Sequence, residues 1–542
     1  MIKPLPGEWS SARPTHRNIA ERIVITGTLW LDTPAHFGNG DRDALTDMPL
    51  LEDELDGSPL LLGTSIAGAL RNYLREYAIG YGQPPPQLPN NLKDERAKTA
   101  YEAMLRRERD LLATMLFGGH RGDDEGAQSP LVVHDAPGHA TGFELRDGVK
   151  IDPETRTAAE DKKFDIRLLA AGTCFDLRFE LLVGHQDDQD YHAYKENLLK
   201  AAAIALDGLA SGEISLGMRR RRGFGRCRVD EWTVYQYDLA TRKGLLAWLA
   251  EGRGNLDAPW VPPIEATCHS SIAEALGVSL ESISDNRKAF ELTATFAVDG
   301  SLMIRSGFGE SDHGPDMVHL HSLRRGSPGQ LARTPVAPGT SWAGILRNRA
   351  IQIANTLAGD PKRASRIIED MFGPENIDSK TKAAWASRLE VEDSIVENAR
   401  MLEQSRVKID RFTGGVSESA LFNEQPLFGG EATRLRLFLR LRSRDAEADS
   451  SNRQNAEVGL ILLLLKDLWT GDLPLGGETS VGRGRLRGLH ASFSWEGGKW
   501  SIRESETGGL EIQGDKQALN SFVADFRRGL SNDRPKSADA DH

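Results

Sequence analysis

GTSIAGALRN at residues 63–72 and GTSWAGILRN at residues 339–348 share eight of ten positions. Chance is a poor explanation for such a match within one chain, so the neighbouring blocks are searched for second copies as well. ITGTLWLD (25–32) finds LTATFAVD (292–299), MLFGG with Phe117 finds MFGPE with Phe372, and LVVHDA with Asp135 finds LEVEDS with Asp393. VKID stands at 149–152 and again at 407–410, and SLGMRRRRGFGRCR with Gly223 aligns with PLGGETSVGRGRLR with Gly482. Six blocks in one order imply a duplication, with insertions placed between blocks, where loops tolerate changes of length.

Each copy is then read as a unit. The first block alternates as a strand, and the second opens on Thr64 and Ser65, or Thr340 and Ser341, as helix caps. Ile66, Leu70, Leu74 and Tyr77 recur at helical spacing in the first copy, and Trp342, Ile345, Leu346 and Ile353 in the second. A further helix, around 194–209 and 457–469, leads into each glycine-rich block. Strand, helix, strands, helix, strand predicts an α+β chain of two tandem ferredoxin-like (RRM-like) modules with inserted loops. The expected division is a first module at 1–234, a connector at 235–286, a second module at 287–530 and a disordered polar tail at 531–542.

The chain has 542 residues, with 67 basic against 79 acidic side chains and a formal charge of -12. An acidic chain repels phosphate at long range, so any nucleic-acid site must be local. No apolar run approaches the roughly 20 residues of a membrane helix. The first 18 residues lack an apolar core behind their charges, and a soluble, cytoplasmic protein is expected. Cys174, Cys227 and Cys268 show no CxxC spacing, which argues for reduced thiols rather than a zinc knuckle or disulfides.

The local basic site is RRRRGFGRCR, with Arg219 to Arg222, Arg226 and Arg228, matched in the second copy by Arg483, Arg485 and Arg487 around Gly482 and Gly484. Glycines let backbone approach a phosphate and guanidinium groups bind it in a fork, so RNA backbone is the natural ligand. A lone GxG would sooner be a solvated turn, but its duplication favours function. The GK[ST] ending of a nucleotide-triphosphate loop is missing. Both loops before the GTS helices are rich in aspartate. RNA is cut by its own 2'-hydroxyl when a carboxylate or a magnesium ion assists, and magnesium needs only one or two protein carboxylates. The alternative is that these acids keep a surface loop soluble, and spacing alone selects no single residue. His313, His319 and His321 flank the second loop and are read as bystanders.

Taken together, FGNGD followed by Asp47-Met-Pro-Leu-Leu and GTSIAGALR, and SGFGESD followed by Asp316-Met-Val-His-Leu and PGTSWAGILR, resemble the RAMP superfamily. The likeness is to the repeated backbone subunits of type III CRISPR effector complexes, and RVKIDRFTGGVSESALF (406–422) is similar to their thumb-like hairpin. The first copy keeps VKID but has Pro153 and Arg156 where the second has Arg411 and Gly414. The resemblance implies that CRISPR RNA lies along a groove, that thumbs interrupt its duplex with a complementary target RNA, and that a loop aspartate cuts beside each interruption. Asp47 and Asp316 take that place, with Asp312 a neighbour of the latter, and the same two would hold a Mg2+ ion. Implied RNA contacts are Arg71, Arg219, Arg220, Arg221, Arg222, Gly223, Gly225, Arg226, Arg347, Lys408, Arg411, Gly482, Arg483, Gly484 and Arg485. Two copies in one chain resemble the fused subunits of III-D-like systems, which implies other type III subunits as partners and no membrane. A non-catalytic RNA scaffold and a CRISPR RNA maturation nuclease are the competing readings.

Overall fold

The computed structural model describes residues 19–40, 48–83, 86, 95–119, 126–152, 155, 157–184, 191–250, 265–306, 315–325, 330–358, 361–374, 385–443, 450–505 and 509–532. Alternation of apolar and polar residues makes strands of the first blocks, and Ala289–Asp299 buries every second side chain along its length. In the first module, strand Ile19–Leu31 lies between Cys174–Gly184 and Cys227–Asp238, antiparallel to both, and Leu131–Val133 and Ala136–His139 extend the sheet beyond Cys174–Gly184. In the second, Ala289–Asp299 lies between Arg434–Arg442 and Arg485–Trp495, with Leu389–Val391 and Ser394–Glu397 beyond Arg434–Arg442. This strand order is that of the ferredoxin-like module, found twice as expected.

Helices Gly63–Ile79 and Tyr191–Ala210 belong to the first core, and Gly339–Ala358 and Ser450–Trp469 to the second. The cores are separate: Phe175, Phe179 and Trp232 anchor one, Phe290, Phe296 and Trp342 the other.

The helix caps differ from expectation. Both GTS helices begin at the glycine, one residue before the threonine, and an aspartate at the start of the neighbouring strand closes each helix start. The Gly63 N–H donates to Asp135 Oδ1 at 2.6 Å, and the Gly339 N–H to Asp393 Oδ1 at 2.8 Å. A Cβ at Gly63 would sit 2.4 Å from the Val133 carbonyl oxygen, and one at Gly339 2.2 Å from that of Val391, so both helix starts require glycine.

The described parts of the connector pack on the first module. The strand that opens it runs on to Asp238, Thr267–His269 pairs with that strand, and Ile272, Ala275 and Leu276 enter the first core. At its end, the Asn286 N–H donates to the Tyr77 carbonyl at 3.0 Å, while the Lys288 carbonyl accepts from Ser443 of the second module at 2.9 Å. The second module adds strands Gly498–Glu504 and Leu510–Gln513 and helix Lys516–Asn532, elements without a counterpart among the repeated blocks. That helix runs past the expected boundary at 530, and residues 533–542 of the expected tail lie outside the described residues.

The VKID blocks form two hairpins that leave the main sheets: Phe143–Ile151 with Ala158–Leu169, and Gln404–Ile409 with Val416–Gln425.

Candidate nucleic-acid interface

Both hairpins are rooted in the same way. Met48 forms a parallel bridge with Ile166 on the returning strand of the first hairpin, and Met317 pairs in parallel with Glu424 on that of the second. The residue preceding each methionine is a candidate aspartate. Asp47 lies outside the described residues, as do Asp312 and His313. Asp316 is exposed, and its Oδ2 accepts the Asn423 N–H at 2.8 Å, which holds the carboxylate at the root of the second hairpin.

Away from the roots the hairpins are unusually apolar for exposed strands. Leu145, Val149 and Ile151 on the first, and Val407, Ile409 and Leu421 on the second, face solvent, and Phe412 at the second tip is 99% exposed. Exposed apolar groups grouped on an arm mark a contact surface. The tip is ordered by Asp410, whose Oδ1 accepts from the Phe412 and Thr413 N–H groups, both at 2.8 Å, and from the Thr413 hydroxyl at 3.1 Å. Those bonds favour the charged carboxylate and lower its pKa. Gly414, at φ +66°, closes the turn. In the first hairpin Asp152 accepts from the Thr155 N–H at 2.9 Å, while Pro153 and Arg156 lie outside the described residues.

A cleft of about 800 Å³ runs beside the first root, lined by Phe37, Gly38, Met48, Ser65, Gly68, Asn72 and Arg220 among others. Thr64, Ser65, Gly68 and Asn72 form the exposed face of the GTS helix there. A Cβ at Gly68 would meet nothing within 4 Å, so this face is flat and accessible.

The arginine cluster does something other than expected. Arg221 donates to the Ser387 carbonyl, Arg222 to the Leu389 carbonyl at 2.6 Å, and Arg226 pairs with Glu392 at 2.6 Å. These acceptors belong to the second module, so the three side chains fasten one module to the other. Burial lowers the pKa of Arg221 and of Arg222 to about 10, and the carbonyls offset part of the lost hydration. Arg219 stacks over the Phe164 ring at 4.6 Å. Gly223 and Gly225 are buried, and a Cβ on Gly225 would lie 1.8 Å from the Leu216 carbonyl oxygen, so they serve close packing. Arg483 is buried between Glu424 at 2.8 Å and Glu478 at 2.7 Å, and Gly484 is buried against Leu475. Arg71 donates to the Gly118 carbonyl at 3.1 Å, at the end of helix Leu112–Phe117, and Arg347 to that of Gly373 at 2.9 Å, at the end of helix Pro361–Phe372. Of the expected RNA contacts, Arg220, Lys408, Arg411, Gly482 and Arg485 are exposed.

Residues not singled out from the sequence complete the junction. Asp393 Oδ2 takes Arg146 of the first hairpin at 3.2 Å and Arg324 at 2.5 Å, and Glu144 accepts from Ser322 Oγ at 2.9 Å and the Leu323 N–H at 2.7 Å. Arg440 reaches Glu213 at 3.3 Å, and Arg442 reaches Glu76 at 3.1 Å. The available signal was the mismatch between copies: Glu390 and Glu392 stand where the first copy has Val132 and His134.

His319 is a core residue. Its Nδ1 accepts the Ile304 N–H at 3.2 Å and its Nε2 faces the Val336 carbonyl at 3.1 Å, and burial holds its pKa down to about 3. A neutral, enclosed imidazole is not placed for acid or base work on a substrate. Among the described residues no group of three or more His, Cys, Asp or Glu is placed to hold a metal. A lone exposed carboxylate such as Asp316 still fits magnesium, which keeps most of its waters and takes its remaining ligand from a phosphate. Among the described residues no helix is long and apolar enough to cross a membrane.

A family model described as the RAMP superfamily matches residues 28–228 and 326–487, more than half of the chain and one segment in each module. No curated protein matches the chain.

Proposed function

The chain belongs to the RAMP superfamily, generally CRISPR-associated RNA-binding proteins, and from that premise we propose that it is a double backbone subunit of a cytoplasmic type III, III-D-like effector complex. Each module holds one stretch of CRISPR RNA, and each hairpin meets the duplex formed with a complementary target RNA. The observation that carries this reading is the repeated root, where Met48 and Met317 each follow a candidate aspartate and pair with the returning strand of a hairpin. Exposed Lys408 and Arg411 on the second hairpin supply positive charge beside Phe412, whose ring can stack on a base.

In this reading the target strand is cut by its own 2'-hydroxyl. Asp47 or Asp316 accepts the hydroxyl proton, the 2'-oxygen bonds to phosphorus, and the bond to the 5'-oxygen breaks as that oxygen takes a proton from water, leaving a cyclic phosphate on one fragment and a 5'-hydroxyl on the other. The Asn423 N–H holds one carboxylate oxygen of Asp316, and in this reading the other takes the proton. A bound Mg2+ ion would stabilise the charge that develops on the phosphate. Sequence is read by base pairing with the guide, while the protein reads backbone and shape.

The test is cleavage of guide-complementary RNA by the reconstituted complex with magnesium, comparing wild type with Asp47→Ala, Asp316→Ala and the double variant. Each single variant is expected to lose a different cut, by 100-fold or more on the usual scale of a positioned base (about 10²–10⁴). An unchanged cleavage pattern in the double variant would reduce the chain to an RNA scaffold.

A further inference from the structure

The junction between the modules can be compared, position by position, with the two faces that the duplication leaves unused. Strand register supplies the first correspondence. Ile25 faces Phe179 in the first module and Leu292 faces Leu439 in the second, so Glu180 stands where Arg440 does, and Leu182 where Arg442 does. Val132 pairs with Glu180 as Glu390 pairs with Arg440. The glycine turns supply the second. Leu216 bonds to Gly225 and Leu475 to Gly484, so Ser480, Val481 and Arg485 stand for Arg221, Arg222 and Arg226, and Asp472 for Glu213.

A second copy of the chain, added by the same movement that relates the two modules, would bring the second-module turn of one copy onto the first-module sheet of the next. The contacts would change character. Glu213 against Arg440, an attraction at 3.3 Å, becomes Asp472 against Glu180, a carboxylate already taken up by Arg22 and Arg178 of its own module, so the ion pair has no equivalent. Arg226 against Glu392, at 2.6 Å, becomes Arg485 against His134. The two arginines that donate to carbonyls are replaced by Ser480 and Val481, both exposed. Each pair lost in this way removes part of the complementarity that selects a partner.

We infer that the junction is a charge code that closes this chain as a pair: the module contact forms once, within the chain, and its outer faces lack the pairs that a second copy would need. The inference concerns head-to-tail contact alone and does not depend on whether RNA is cut, so its failure and that of the cleavage reading are separable.

Light scattering on the RNA-free full-length chain tests it. Wild type is expected to keep the mass of one chain as concentration rises, at low and at high salt. Two variants then write the code onto the outer faces: Asp472→Lys with Ser480→Arg and Val481→Arg on one, and Val132→Glu with His134→Glu on the other. Each alone is expected to keep a single mass, and an equimolar mixture to double it at low salt and return to single mass at high salt. Head-to-tail growth of the wild type would overturn the inference, as would an unchanged mass in the mixture when both variants melt like wild type. Should a triple or double variant melt lower, Val481→Arg mixed with His134→Glu carries the same expectation of doubled mass and the same power to refute.

Discussion

Asp135 and Asp393 perform the same act, closing a helix through a glycine N–H, yet their surroundings separate them by a large margin in stability. Asp135 is exposed, so Asp135→Ala is expected to cost about 1 kcal/mol, the usual worth of a cap. Asp393, with its side chain 2% exposed, also neutralises Arg146 and Arg324. Asp393→Ala strands two buried guanidinium groups and is expected to cost about 3–5 kcal/mol. Urea denaturation of the two variants side by side checks the contrast. His319 gives a pH prediction. Its pKa falls on folding from 6.5 to about 3 because burial disfavours the imidazolium, so the folded state excludes a proton that the unfolded chain takes up. The stabilisation is complete above pH 6.5, is lost as pH falls from there toward 3, and the corresponding slope is expected to vanish from the denaturation midpoints of His319→Gln. Neither role was legible in the sequence. The capping partners are 72 and 54 residues apart, and no periodicity reports a contact at that range.

At the scale of elements, the repeated blocks were legible because their physics is local. Alternation at 292–299 and helical spacing after Gly63 and Gly339 each mark one buried face, and those elements are where the pattern places them. The arginine run was misread for the opposite reason: charge density on a short turn looks the same whether it faces solvent or a second module. The last strands and helix escaped notice since they lie outside the repeated blocks. That last helix supplies a prediction. A Cβ on Gly459 would lie 2.1 Å from the Phe522 carbonyl oxygen of the helix packed against it. Replacing glycine by alanine inside a helix ordinarily gains about 1 kcal/mol. Here backbone blocks the methyl group and overpacking prevails, so Gly459→Ala is expected to destabilise by about 1–3 kcal/mol and to expose helix Lys516–Asn532 to limited proteolysis.

For the whole molecule, the arrangement of the two cores depends on the charges between them. Arg440→Glu with Arg442→Glu turns the attractions to Glu213 and Glu76 into repulsions without touching either core. The expected outcome is a larger radius of gyration in small-angle scattering, with a circular-dichroism spectrum like that of wild type. The connector bears on how strong this junction must be. The chain holds the first module through Asn286 and enters the second at Lys288, so the crossing spans a single intervening residue, Arg287. Two free proteins must surrender translational and rotational freedom worth about 4–15 kcal/mol before a contact stabilises them. Modules joined by so short a crossing have already surrendered it, and each sees the other at an effective concentration that dilution cannot lower. Their ratio is one to one from the moment of synthesis, whatever the supply of other subunits, and the ion pairs between them act as a choice of orientation rather than as a source of affinity.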